Sequence, residues 1–332
     1  MAVHTIAVYG ASGHTGRFVL AELKRRGLPA VAVGRDAARL PAGVPARVAA
    51  IDEPEALDRA FAGCAVVINC AGPFLDTAAP IVESALRVKA SYIDVTAEQP
   101  AALALFETYH AVAKEAGITI IPAAGFYGGL ADLLASALAG ADAIDEMAVA
   151  VALDHWWPTE GTRKTGERNA SARMMIDKGQ LLPIALPARH IDWDFAAPFG
   201  AQGMTELSFS EVVTIFRHLP VASLRSYINT RALDQVRDAA TPQPTASDAE
   251  GRSAQRFMLD VLVRDAAGER RARATGQDIY AVSAPIVVEA AARMLAPSFD
   301  RRGVLALGQA VDPRGFLASI ASPTLAVDLP RA

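Results

Sequence analysis

Short apolar segments alternate with amphipathic segments over the first third of the chain. The apolar segments are bounded by turn-forming residues and predict strands that are buried on both faces of a parallel sheet. The predicted strands lie at 5–9, 30–34, 46–51, 65–69, 91–94 and 118–121, and the predicted helices at 16–26, 54–61, 77–89 and 100–116. This alternation indicates an α/β fold with a doubly wound parallel sheet of the Rossmann type.

The pattern changes from residue 128. Alternating runs at 256–264 and 270–275 flank a short polar turn and predict an antiparallel hairpin. Helices are predicted at 129–138 and 284–295, and a strand at 144–153. We therefore expect a second, mixed α+β domain after the parallel sheet.

A glycine-rich segment joins the first predicted strand to the first predicted helix. It consists of Gly10, Ser12, Gly13, His14, Thr15 and Gly16, together with Ala11. The free amides at a helix N-terminus bind anions, and glycines let the backbone approach a phosphate. The spacing is GxxGxxG rather than GxGxxG. Its place between a strand and a helix nevertheless predicts that these residues bind a dinucleotide pyrophosphate.

Arg35 follows the second predicted strand, where NAD-binding chains carry a carboxylate for the ribose 2′-hydroxyl. A guanidinium at this place can bind a 2′-phosphate through paired hydrogen bonds, so NADP(H) is the predicted cofactor. Two alternatives stay open. Arg35 could be a solvated surface residue, and Asp36 could bind the 2′-hydroxyl of NAD(H), although Asp36 is favoured as the N-cap of a short helix that carries Arg39.

The carboxyl ends of the remaining strands complete the predicted cofactor site, because ligands of such sheets lie beyond those ends. The residues concerned are Asp52 after the third strand, Ala71, Gly72 and Pro73 after the fourth, and Thr96 after the fifth. Residues 71–73 would lie along the ribose units. Thr96 would donate to the nicotinamide carboxamide, and Asp94 could equally be a structural cap.

Two residues are predicted to donate the proton that often accompanies hydride transfer. Tyr127 follows the last strand of the first domain and could project over the nicotinamide, or it could pack at the domain hinge. His155 lies beside Trp156 and Trp157, in an aromatic substrate wall or in interdomain packing. A basic cluster could bind an anionic substrate group, although a solvated helix face is favoured for it. The cluster consists of Arg163, Lys164, Arg168 and Arg173.

Composition and charge exclude several other classes. The net charge is −4 with no dense basic stripe, which argues against nucleic acid and anionic membranes as partners. No apolar run is long enough to span a bilayer, and the first strand begins too early for a signal peptide. Cys64 and Cys70 indicate no disulfide framework, and the scattered histidines indicate no metal site. Together these features favour a cytoplasmic protein.

The motifs together resemble one family. They are the loop at 10–16, the segments 66–74 and 92–98, the turn at 124–126, and the segments 210–215 and 283–285. On these residues the chain resembles the saccharopine dehydrogenase-like family of NADP-dependent oxidoreductases over most of its length. The expected organisation is a Rossmann NADP-binding domain at 1–125, a substrate and dimerisation α+β domain at 126–280, and a C-terminal segment at 281–332 that packs back on the first domain.

The resemblance implies a reductase that transfers hydride to or from a small organic substrate between the two domains. The substrate would be an imine or amino-acid-derived compound, or an α,β-unsaturated acyl compound. Family habit implies a homodimer through the sheet of the second domain. The alternative is a non-catalytic NADP-binding redox sensor or scaffold. It is favoured by the absence of an unambiguous catalytic acid and by Tyr127-Gly128-Gly129, where many relatives carry an acidic residue and a proline.

Overall fold

The first of two sheets is parallel throughout and follows the predicted alternation. The computed structural model describes residues 4–140, 142–168 and 171–330. The strands of this sheet are β1 (Thr5–Tyr9), β2 (Ala30–Gly34), β3 (Ala46–Val48), β4 (Cys64–Asn69), β5 (Ser91–Asp94), β6 (Thr119–Ile121) and β15 (Gly303–Val304). Their order is β15-β6-β5-β4-β1-β2-β3. Apart from the added β15, this is the order of a doubly wound dinucleotide-binding sheet.

Helices cover both faces of this sheet because its strands are apolar on both sides. The helices that connect its strands are α1 (His14–Arg25), α2 (Pro54–Phe61), α3 (Phe74–Val88) and α4 (Gln99–Ala116). Ile6 and Val8 of β1 share a core with Val19 and Leu23 of α1. Their neighbours in β1 face the opposite core, which α2, α3 and α4 complete. The ends of the strands are thereby fixed relative to the loops that follow them.

The second sheet is mixed, and the two sheets together confirm the predicted fold class. Its strands are β7 (Ile144–Leu153), β8 (Met174–Asp177), β9 (Gln180–Pro183), β10 (His190–Asp194), β11 (Ala201–Glu206), β12 (Val221–Asn229), β13 (Arg256–Asp265), β14 (Gly268–Gln277) and β16 (Leu325–Asp328). The main order is β10-β11-β12-β7-β13-β14-β16, and β8 pairs with β12 and β9. β7 and β12 are parallel, whereas β13 and β14 form the expected antiparallel hairpin.

The remaining helices either connect the two sheets or join strands of the second sheet. They are a π-helical turn (Phe126–Leu130), α5 (Ala131–Leu138), α6 (Glu160–Arg168), α7 (Glu211–Phe216), α8 (Thr230–Arg237), α9 (Ser283–Met294), α10 (Leu307–Ala310) and α11 (Pro313–Ile320). After α9, which packs against α1, the chain contributes β15 to the first sheet and β16 to the second. The carboxy-terminal segment therefore belongs to both sheets.

Candidate functional site

A cavity of about 1380 Å³ lies beyond the carboxyl ends of the first sheet and is closed by residues of the second sheet. This volume exceeds the roughly 300–1,000 Å³ of ordinary ligand pockets, so a dinucleotide and a second molecule could share it. Most of the predicted site residues line it, namely Gly10, Ser12, Gly13, His14, Thr15, Arg35, Asp52, Ala71, Gly72, Pro73 and Tyr127. Gly16, Thr96 and His155 lie outside its wall among the described residues.

The glycine loop forms a tight turn that opens directly onto the cavity. Gly10 has φ +78°, and a Cβ on it would lie 2.9 Å from the backbone nitrogen of Ala71. A Cβ on Gly16 would lie 2.3 Å from the carbonyl oxygen of Gly10, so Gly16 acts by letting α1 approach the turn. No side chain among the described residues caps the start of α1. The loop therefore fits an anion such as a pyrophosphate at the free amides of the first turn.

The end of β2 presents two arginines to the cavity. Arg35 and Arg39 are exposed, and both line it. The Asp36 carboxylate accepts a hydrogen bond from the backbone amide of Ala38 at 3.0 Å, which confirms the predicted N-cap of the 3₁₀ turn over Ala37–Arg39. Because Asp36 is engaged in the cap and the guanidinium groups face the cavity, this corner fits a 2′-phosphate better than a free 2′-hydroxyl.

The turn after β5 is held by buried hydrogen bonds. The Asp94 carboxylate accepts from the amides of Thr96 and Ala123 at 2.9 and 2.8 Å, and burial raises its pKa to about 6. The Thr96 hydroxyl accepts from the Glu98 amide at 3.0 Å, and Thr96 is 1 % exposed. The Thr96 side chain thus lies inside the turn and does not line the cavity, and its contact with a nicotinamide stays a prediction. Asp94 is the structural cap of the same turn.

Glu98 lines the cavity, although the sequence analysis included it only as the last residue of segment 92–98. Its carboxylate accepts from the amides of Phe74 and Leu75 at 2.8 and 3.1 Å, at the N-terminus of α3. Burial raises the pKa of Glu98 above its usual value, and these two amides oppose the rise. The Thr165 hydroxyl of α6 approaches the same carboxylate at 3.4 Å. Glu98 thus links the first sheet to the helix that covers the cavity.

Aromatic side chains form the far wall of the cavity. Tyr127 lies in the π-helical turn and stacks on Phe209 with ring centroids 4.0 Å apart. The Trp156 indole donates to the Tyr280 hydroxyl at 3.3 Å. The buried Tyr127 hydroxyl has no hydrogen-bond partner in the part of the chain that the structure describes. Burial raises the pKa of Tyr127 well above its usual value, so its proton is retained near neutral pH.

The structure places His155 outside the cavity wall, so its role as a proton donor stays a prediction. Its ring stacks on Trp157 at 4.9 Å, and its Nδ1 atom lies 3.6 Å from Asp154. It is partly exposed and does not line the cavity, whereas Trp156 is buried and does. Neighbouring side chains of an extended segment point in opposite directions, so burial of Trp156 turns His155 outward.

The basic cluster divides into an exposed part and a half-buried part. Lys164 pairs with Glu160 at 2.6 Å, and Arg168 pairs with Asp76 at 2.6 Å, both on an α6 that buries no residue. These contacts describe the solvated helix face favoured from the sequence. Arg173 differs, because it is half-buried and its guanidinium stacks over Phe209 at 5.2 Å.

Comparison with known proteins identifies a related domain. The family model described as the saccharopine dehydrogenase NADP binding domain matches residues 6–121. A saccharopine dehydrogenase-like oxidoreductase from Homo sapiens is 32% identical over 153 residues, which are 39% of this chain and 35% of that protein. A short-chain dehydrogenase/reductase from Veillonella parvula solved with NADP is 24% identical. The matched region covers 30% of this chain and 52% of that chain, with a TM-score of 0.26. The family resemblance predicted from the motifs is confirmed for the first sheet and its helices.

The same comparisons limit and correct two other expectations. The chain matches about a third of the length of the curated relatives, so their activity does not transfer with the domain. A relative from Arabidopsis thaliana, 28% identical over 37% of this chain and 32% of its own length, is named a probable mitochondrial saccharopine dehydrogenase-like oxidoreductase. This finding corrects the expectation of a cytoplasmic protein. Within the described ranges, no helix is long and apolar enough to cross a membrane.

Proposed function

We propose that the protein is an NADP(H)-dependent oxidoreductase. The premise is that residues 6–121 belong to the saccharopine dehydrogenase NADP-binding family. The protein transfers hydride to or from a small organic substrate held in the cavity described above. One observation carries the proposal: the glycine loop and the aromatic wall formed by Tyr127, Trp156 and Phe209 line the same cavity. A cofactor held at the loop would thus share its space with a substrate at the wall.

The side chains and amides of the cavity have separate roles in this proposal. The first-turn amides of α1 bind the pyrophosphate, and Arg35 and Arg39 bind the 2′-phosphate. When bound, the nicotinamide ring supplies or accepts the hydride. The aromatic wall excludes water and orients the substrate, and the Tyr127 hydroxyl holds a proton at a site with no competing partner among the described residues. The substrate is an imine or amino-acid derivative, or an α,β-unsaturated acyl compound.

The cofactor preference is tested with the variant Arg35→Ala. We expect the unmodified protein to bind NADPH more tightly than NADH, and the variant to bind NADPH about tenfold more weakly, because it loses one charge-assisted contact. NADH affinity should change little, since NADH has no 2′-phosphate. The measurement is a fluorescence titration of each protein with both cofactors.

Arg59→Ala is the matched control, because Arg59 is an exposed arginine of α2 that does not line the cavity. An unchanged NADPH/NADH ratio in Arg35→Ala would contradict the proposed role of Arg35. Cofactor binding without NADPH oxidation by any imine or enoyl thioester would instead favour the non-catalytic alternative.

A further inference from the structure

Arg173 is a half-buried cation whose hydrogen-bonding capacity is largely unused. Its guanidinium donates to the carbonyl oxygen of Ser208 at 3.2 Å and stacks over Phe209. A guanidinium has five N–H donors, so most of them remain available. Within residues 4–140, 142–168 and 171–330, no carboxylate forms an ion pair with Arg173. A planar fork of free donors matches the two oxygens of a bound carboxylate.

The two carboxylates that act on Arg173 from a distance are already engaged. Glu211 accepts twice from the Phe209 amide, at 2.9 and 3.1 Å. Glu98 accepts from the amides at the start of α3. Both carboxylates moderate the charge of Arg173 without using its N–H groups. The free donors of Arg173 can therefore bind a ligand in the cavity that this residue lines.

Gln99, the first residue of α4, fixes the backbone on both sides of this guanidinium. Its side-chain nitrogen donates to the carbonyl oxygens of Met174 and Phe209 at 3.1 and 2.8 Å, and its oxygen accepts from the Met174 amide at 2.8 Å. Gln99 is 2 % exposed, so these bonds form in a dry environment. Arg173 and its stacking partner Phe209 are consequently held in place before any ligand arrives.

Tyr127 packs on the stacking partner of Arg173. Its ring stacks on the same Phe209, and both residues line the cavity. Arg173 therefore lies beside the aromatic wall to which the proposed function assigns the substrate.

The cavity that Arg173 lines also has an apolar surface. The apolar side chains of this surface are Ile184, Leu186, Leu207, Leu233 and Val236. Leu186 is 88 % exposed, which is unusual for a leucine and places an apolar side chain in contact with solvent. A ligand bound here would therefore combine an anionic end with an apolar body.

We propose that Arg173 binds the carboxylate of a substrate with an apolar chain, and that the surface around Leu186 and Leu233 binds that chain. The inference deepens the proposed function and rests on it, because it names the class of substrate that enters the same cavity. It selects a monocarboxylate with an aliphatic chain over a small polar amino-acid derivative.

The test uses decanoate as the probe, with methyl decanoate and decylamine for comparison. In the unmodified protein saturated with NADPH, calorimetry should show that decanoate binds and that the ester and the amine bind at least about tenfold more weakly. Arg173→Gln should weaken decanoate binding by about 10- to 100-fold. Arg173→Lys should fall between the unmodified protein and Arg173→Gln, because it keeps the charge but not the fork.

Arg217→Gln is the matched control, since Arg217 also stacks over a phenylalanine, Phe106, but does not line the cavity. It should bind decanoate as the unmodified protein does. NADPH titration of each variant separates the two proposals: lost decanoate binding with intact NADPH binding supports this inference. Equal binding of decanoate and decylamine, unchanged binding in Arg173→Gln, or no decanoate binding by the NADPH-loaded protein would overturn it. Failure of the unmodified protein to bind NADPH would overturn the proposed function instead.

Discussion

Gly16→Ala should lower NADPH affinity at least about tenfold and reduce the free energy of unfolding by about 1–3 kcal/mol. The added Cβ would lie 2.3 Å from the Gly10 carbonyl oxygen and 3.0 Å from the Ala11 Cα. Both neighbours are backbone atoms of the turn, so neither can rotate away. The first turn of α1 must move from the end of β1, and its amides no longer converge on one anion.

Isothermal titration with NADPH and urea denaturation would measure the two effects of Gly16→Ala. Gly203→Ala is a suitable control, because a Cβ at Gly203 in β11 meets no heavy atom within 4 Å. A loss of affinity in both variants would point to a general loss of folding. Unchanged NADPH binding in Gly16→Ala would contradict the pyrophosphate role of the loop.

The first sheet could be predicted from the sequence because its strands are uniformly apolar and its loop residues carry strong local preferences. The run Ile6 to Tyr9 is buried throughout, as the pattern required. Position 10 has a positive φ, which favours glycine, and Asp36 caps the turn over Ala37–Arg39. Each of these signals acts within a few residues, so neighbouring letters of the sequence were sufficient.

Several strands of the second sheet gave no such signal. β9 has mostly exposed residues and shows no regular alternation of apolar and polar positions. β10 does alternate polar and apolar residues, but it is only five residues long and its apolar side chains are only half-buried, so this short pattern did not lead to a predicted strand. β12 is better buried, but the sequence does not show that it lies beside β7 in parallel. These pairings depend on contacts between distant parts of the chain, and single-sequence patterns carry no information about them.

The placement of side chains at the site was hard to predict for the same reason. Thr96 was predicted to contact the nicotinamide because it follows a predicted strand, and His155 was predicted to join a substrate wall because it adjoins two tryptophans. The direction of each side chain, however, depends on long-range packing. Trp156 turns inward because its indole meets Tyr280, which lies more than a hundred residues later. Arg173 gained its importance only when Gln99 and Phe209 were brought beside it. The loop that binds a cofactor is local, whereas the wall that would bind a substrate is assembled from distant segments.

Asp132→Ala should reduce the free energy of unfolding by about 3–5 kcal/mol, because it leaves a buried partner without its counter-ion. The Asp132 carboxylate pairs with His218 Nε2 at 2.6 Å and accepts from the Gly308 amide at 2.7 Å. The side chain of Asp132 is 0% exposed and that of His218 is 8% exposed. The pair therefore joins α5, the turn after α7 and the start of α10, as expected for a structural histidine. Urea denaturation at neutral pH would measure the change.

The pH dependence of stability shows whether charge is responsible. Burial alone would lower the pKa of His218, but the charge and hydrogen bond of Asp132 raise it above its usual 6.5. The folded protein thus binds the proton more tightly than the unfolded chain. The stability gained from this tighter proton binding is fully present below about pH 6.5, and it is lost as the pH rises through the pKa of His218 in the folded protein.

In Asp132→Asn only the effect of burial remains, so the pKa of His218 should fall below 6.5. The pH dependence of the free energy of unfolding should then change sign. The variant should then lose stability as the pH falls below about 6.5, whereas the unmodified protein loses it as the pH rises. Urea denaturation between about pH 5.5 and about pH 8.5 would show the two slopes. Asp145→Asn, which changes an exposed aspartate of β7, should keep the original slope. Parallel curves for the unmodified protein and Asp132→Asn would mean that hydrogen bonding and packing, not charge, hold these elements together.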